Sequence, residues 1–209
     1  MYDNIISQTM TIDTLTRSIR SSSLPHAMLF FGPSYTAKLS TALETARILT
    51  CEEGTARWSC GCASCSRQRL LVHPDMLLLG YRDFSAEIAA SADVFLRVRT
   101  TGSRYLLIRA IRKLLKRFDP VICDDDDVKV KGNWSAIQET GAFLEELAAG
   151  EEISDMDSRL KSVVETCMKI SRDVKTENIP VKQVRKAVNW AHISTGSAAK
   201  VIIIERADM

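Results

Sequence analysis

Residues Leu24 to Leu39 read LPHAMLFFGPSYTAKL, an apolar run that stops at Gly32-Pro33 and is followed by a lysine, Lys38. The continuously apolar stretch Ala27 to Phe31, closed by Gly-Pro, predicts a buried parallel strand entering a loop. From Lys38 to Cys51, Leu39, Ala42, Leu43, Ala46 and Leu49 recur at intervals of three and four and predict a helix. Strand, loop and helix in this order are the setting of the phosphate-binding pattern G-x-x-x-x-G-K-[ST]. In it, glycines turn backbone N–H groups onto phosphate, the lysine reaches the terminal phosphates and the hydroxyl holds Mg²⁺. Gly32 and Lys38 keep their places here, but Ala37 replaces the second glycine and Leu39 the hydroxyl. The frame predicts a nucleotide-binding fold. The set Gly32, Pro33, Ala37, Lys38 and Leu39 predicts a degenerate loop that uses neither ATP nor Mg²⁺, with Ala37 restricted in its access to positive φ.

Upstream, Ile12, Leu15 and Ile19 share one face and predict a modest amphipathic helix over residues 12–20. Downstream lies CEEGTARWSCGCASC, with the spacing Cys51-x8-Cys60-x-Cys62-x2-Cys65. Zn²⁺ takes four soft ligands in a tetrahedron, and three crowded thiols plus a fourth a short loop away can close that shell. With four thiols and no vacant position, a structural zinc site is expected at Cys51, Cys60, Cys62 and Cys65. A redox pair at Cys62 and Cys65 would leave Cys51 and Cys60 unexplained, and Gly61 is expected to permit a sharp turn. Cys123 and Cys167 read as ordinary thiols. Gln68 to Val72 continues helically, His73-Pro74 reads as a turn or cap, and Met76 to Leu79 predicts a second buried strand.

Taken together and in order, these residues resemble the bacterial clamp-loader ATPases of DNA polymerase III, of the AAA+ class. The resemblance rests on Leu24-Pro25-His26-Ala27, Leu29-Phe30, Gly32-Pro33, Lys38, the four-cysteine module, His73-Pro74-Asp75, Ile179-Pro180-Val181-Lys182-Gln183-Val184-Arg185, and Lys200 to Met209. It covers residues 1 to about 80 and about 176 to 209. A working member would carry a further glycine where Tyr35 stands. The loop is therefore similar to that of the delta-prime type rather than the ATP-hydrolysing gamma/tau type.

The resemblance implies a three-layer α/β AAA+ core with a parallel sheet. The expected divisions are a strand-loop-helix core (1–50), a surface zinc module (51–66), more core (67–80), a mainly helical insertion (81–175), and a core helix with a strand like that of the second ATPase motif (176–209). The chain is expected to stop within that core. The resemblance also implies a subunit acting with gamma/tau and delta subunits on the sliding clamp and primed DNA. The family usually places two residues between the second and third cysteines, where only Gly61 stands here.

Lys200 to Ile204 predicts a central strand that delivers Glu205, Arg206 and, further on, Asp208 to its C-terminal end, where open α/β sheets bind ligands. An active member would carry aspartate then glutamate there. Arg206 cannot take a proton from water, so this motif fails independently of the first. Within the insertion, Leu107, Ile108, Ile111, Leu114, Leu115 and Phe118 share one helix face. Arg109, Arg112, Lys113, Lys116 and Arg117 fill the other, which reads either as a DNA contact or as a solvated face on a packed helix. Asp124 to Asp127 reads as a solvated turn, and residues 134–147 and 156–170 read as two further helices.

The 209 residues carry a formal net charge of only +2, which argues against a protein that coats nucleic acid. No apolar run approaches the roughly 18 residues of a membrane helix, and MYDNIISQTM lacks the pattern of a secretory signal. A cytoplasmic protein without membrane partners is expected. The alternatives are a gamma/tau-like subunit that still binds ATP and a zinc-containing DNA-binding module.

Overall fold

The computed structural model describes residues 1–80, 82–123, 132–150, 153–173, 178–193 and 198–206. Along the chain run α1 (Thr9–Arg20), α2 (Lys38–Leu49), α3 (Ala63–Arg69), β1 (Met76–Leu79), α4 (Ser85–Val98), α5 (Thr101–Leu115), α6 (Trp134–Ala149), α7 (Met156–Asp173), α8 (Val181–His192) and β2 (Val201–Ile204). The fold is mixed α/β and mostly helical. Among the described residues its sheet has two parallel strands, with Met76 opposite Val201 and Leu79 opposite Ile204.

Every residue of β1 is buried, as its unbroken apolar run requires. Successive side chains of a strand point to opposite faces. Met76 and Leu78 pack with Leu43 and Ala46 of α2, while Leu77 and Leu79 pack with Ala187 and Trp190 of α8. Helix, sheet and helix therefore form three layers, consistent with an AAA+-like domain. Gly80 follows at φ 127°, and a Cβ there would lie 2.8 Å from the Glu205 carbonyl oxygen, so the strands can close on each other only over a glycine.

The strand expected at Ala27 to Phe31 is not formed. The segment has no regular structure, and Leu29 and Phe31 are 77% and 86% exposed. A strand is held by hydrogen bonds to a neighbour, and β1 and β2 pair only with each other among the described residues. Helix α1 does form, starting three residues early, and packs Leu15 against Tyr2, Ile5 and Ile48.

Helices α4 to α7 share a second core built on Ile88, Phe95, Leu107, Ile111, Leu144 and Leu160. Arg99 turns the chain at φ 45° between α4 and α5. Thr100 and Ser103 then close a reciprocal cap, each hydroxyl accepting the other's backbone N–H at 3.2 and 3.0 Å. Helix α5 tightens into a single 3₁₀ turn at Lys116–Phe118, and α6 ends on Gly150 at φ 79°, as a left-handed C-terminal residue. The Asp124 to Asp127 turn and Asp208 lie outside the described residues.

Candidate metal centre and phosphate-type loop

Cys51 lies just beyond the C-terminus of α2, Cys62 caps the N-terminus of α3, and Cys65 follows three residues later with its N–H donated to Cys62 Sγ at 3.3 Å. All four sulfurs lie within 4.8 Å of one another. Cys51 and Cys60 Sγ are 3.8 Å apart, which matches the edge of about 3.8 Å that a tetrahedron acquires when its metal–sulfur bonds are about 2.3 Å. Cys60, Cys62 and Cys65 are buried and Cys51 is half-buried, so the donor set fits a metal ion largely shielded from solvent. Gly61 is not what turns the chain. It has no positive φ and open space where a Cβ would go. The loop bends at Gly54 (φ 63°) and Ala56 (φ 52°) instead.

One arm of the site went unnoticed in the sequence. Arg47, on the last turn of α2 and 1% exposed, donates to Cys65 Sγ at 2.9 Å and to the Ala56 carbonyl at 2.9 Å. It also grips Glu44 with two nitrogens at 3.0 and 2.7 Å. Four thiolates around a divalent cation carry net negative charge, and a buried guanidinium offsets part of it. The only sequence cue was an acid and an arginine three apart on a face that otherwise reads as core. Burial, followed by Cys62 and Cys51, pushes the Cys65 thiol up against the pull of Arg47. Burial also resists ionisation of Cys62, but N–H groups of Cys65 and Glu52 and the neighbouring thiols bring it down to about 7.

His73 stands behind the cluster rather than in it. Its Nδ1 accepts the Asp75 N–H at 3.1 Å, so its Nε2 carries the proton toward Ser64 Oγ at 3.0 Å, and Ser64 donates on to the Thr50 carbonyl at 2.6 Å. The turn role read from His-Pro is what the geometry gives.

At the phosphate-type loop, Lys38 Nζ is folded back onto its own loop. It donates to the Gly32 and Pro33 carbonyls and to Thr36 Oγ1, at 3.0 Å to Gly32 and 3.3 Å to Thr36. A phosphate cradle points N–H groups inward, whereas this loop turns carbonyls toward the ammonium. Ala37 adopts φ 56° and Tyr35 φ 64°. The restriction expected at Ala37 is thus overcome, at a cost of about 1–2 kcal/mol for a left-handed residue. Leu39 packs toward Leu43, Ala46 and Met76 instead of facing the loop.

At the end of β2, Glu205 is largely buried beside Arg82, with 3.6 Å between their charged atoms. Burial raises its carboxyl above the usual range, and Arg82, Lys113 and Arg117 pull it back. Arg206 sits at φ 53°.

The basic residues of α5 and its 3₁₀ turn are drawn into the fold. Arg112 pairs with Glu145 and Lys113 with Glu87, and Lys116 pairs with Asp119 at 3.0 Å. Arg109 donates to the Arg69 carbonyl at 2.8 Å, and Arg117 lies over the Phe84 ring. Arg112, Lys113 and Lys116 are each less than 15% exposed. These residues do not form an open basic face.

A parallel sheet between helices, a loop of phosphate-loop length after α1 and a four-thiol module define a mixed α/β protein consistent with the AAA+ class. Residues 7–119, more than half of the chain, match the family described as DNA polymerase III, delta subunit, and the chain belongs to that family. The matched span continues past β1 through α4 and α5. No curated protein and no solved structure matches the chain. Among the described residues, no helix is long and apolar enough to cross a membrane.

Proposed function

We propose that this chain is a non-catalytic, delta-prime-like subunit of the bacterial clamp loader. It acts in the cytoplasm beside gamma/tau and delta subunits to help place the sliding clamp on primed DNA. The observation that carries the non-catalytic reading is the state of Lys38. Its ammonium is engaged by carbonyls of the loop that would have to bind phosphate, while Leu39 is committed to the core. The burial of Glu205 supports the same reading, because it raises the carboxyl and disfavours the anionic form a metal needs.

Cys51, Cys60, Cys62 and Cys65 hold a structural zinc. Its role is to fix the loop from Cys51 to Cys65 against α2, and its four thiolates leave no position for a reacting water.

A second reading is favoured by one observation. Ala37 at φ 56° keeps a left-handed residue where the pattern's second glycine would stand, so a gamma/tau-like subunit that binds ATP is the rival. ATP titration with and without Mg²⁺, together with elemental analysis of zinc on the same sample, separates them. One zinc per chain without ATP binding or turnover is the expected result. Mg²⁺-dependent ATP binding lost in Lys38→Ala would establish the rival, and absence of zinc would overturn the structural-metal reading.

A further inference from the structure

Between α2, the cysteine loop, α3 and α5 lies a cavity of about 240 Å³. Its wall includes Arg69 and Arg109 from α3 and α5, with Tyr105 beside them. The lining holds three arginines, Arg47 among them, and one carboxylate, Glu44, which both gripping nitrogens of Arg47 already occupy. With Arg47 engaged by Glu44 and Cys65, Arg69 and Arg109 are the two remaining cations of the wall.

Arg69 and Arg109 spend their intramolecular hydrogen bonds on neutral groups. Arg69 donates to the Trp58 carbonyl at 2.6 Å and to Ser66 Oγ at 3.3 Å, and Arg109 donates to the Arg69 carbonyl at 2.8 Å. Each guanidinium has five N–H donors, so donors remain on both. Their carbonyl bonds and ring contacts hold the two side chains in place, Arg69 over Trp58 at 5.9 Å and Arg109 over Tyr105 at 5.3 Å.

We infer that this cavity binds a phosphate-type oxyanion. Guanidinium forks placed on two helices, with the Ser40 hydroxyl and the Asn4 amide on the same wall, supply donors from several sides. That number suits the several oxygens of a tetrahedral phosphate better than the two of a carboxylate. A space of about 240 Å³ admits a phosphate. This site is separate from the Lys38 loop, and its occupancy does not depend on the clamp-loader reading.

The test is a titration of the full chain with its metal in place, following the Nε–H NMR signals of Arg69 and Arg109 at constant ionic strength. The probes are inorganic phosphate, then pyrophosphate, then a short oligothymidylate. Saturable shifts of both signals with phosphate or pyrophosphate are expected. Ser40→Glu should weaken binding roughly tenfold or more by setting a carboxylate on the cavity wall. Ser40 is exposed in the first turn of α2, where an acid favours the helix, so this variant folds. Arg109→Gln should weaken binding comparably. If the oligothymidylate moves the same two signals, the phosphate belongs to a strand; if only the small ions do, it belongs to a free phosphate or nucleotide. Shifts that do not saturate, or that survive unchanged in Ser40→Glu, would overturn the site.

Discussion

Replacing Arg47 with methionine tests how far the four-cysteine cluster is built into the fold. The change removes both bonds to Glu44, the bond to the Ala56 carbonyl and the donor on Cys65. It also leaves Glu44, 2% exposed, as a buried charge without its partner. Stranding one member of a buried pair costs about 3–5 kcal/mol, whereas exchanging both members for apolar residues is often neutral. Arg47→Met should therefore lower the denaturant midpoint severely, and the double change Glu44→Leu with Arg47→Met should recover most of the loss. Zinc affinity should behave differently. Loss of a group bonded to a ligand costs roughly 10–100-fold in metal affinity, and the double variant restores no donor to Cys65. Urea unfolding read with chelator competition separates the two effects. A double variant with normal zinc affinity would refute the role assigned to the Arg47–Cys65 bond, and a single variant as stable as the parent would refute the charge argument.

Gly80→Ala should destabilise by about 2–4 kcal/mol, because its Cβ meets the Glu205 backbone at a positive φ; a melting temperature within a degree or so of the parent would count against the strand closure described. Ala37→Gly should relieve left-handed strain of about 1–2 kcal/mol while adding about 0.5–1 kcal/mol of chain flexibility, so urea unfolding should show a small gain, and ATP turnover should not appear because Leu39 remains. Burial lowers the His73 pKa below its ordinary 6.5, so between the folded value and 6.5 the unfolded chain binds more protons and stability rises with pH. That contribution is full above about 6.5 and is lost as pH drops through the folded value; parallel stability–pH curves for the parent and His73→Asn, which keeps an acceptor for Asp75, would contradict it.

The cysteine spacing announced the cluster of four thiols because residues close in sequence need only a short loop to meet. The helices after the loop and around Leu107 showed themselves by the spacing of their apolar residues, as did β1 by its unbroken apolar run. Helix α4 lies within the region expected to be mainly helical, and its Ile88, Ala92 and Phe95 recur at helical intervals and all pack in the core. The segment Ala27 to Phe31 misled because composition records affinity for a sheet but not whether a neighbouring strand is there to pair with. The α5 cations misled for a related reason. A helical projection shows that they share a face, but Glu145 and Glu87, which hold Arg112 and Lys113, come from other helices. Arg47 was hidden most thoroughly, since an arginine amid apolar neighbours makes sense only once Cys65 is placed beside it.

The register of the sheet also bears on the order in which the molecule assembles. Met76 pairs with Val201, some 125 positions further on (201 minus 76). Closing so long a loop in an unfolded chain costs roughly 2 kcal/mol more than closing one of about ten residues. The Thr100–Ser103 cap and the contact of α4 with α5 are local and carry little of that cost. Once α4 to α7 have condensed, the distance left for β2 to search is much shorter. On this order of assembly, weakening the α4–α5 contact should slow refolding, whereas weakening β2 should mainly hasten unfolding.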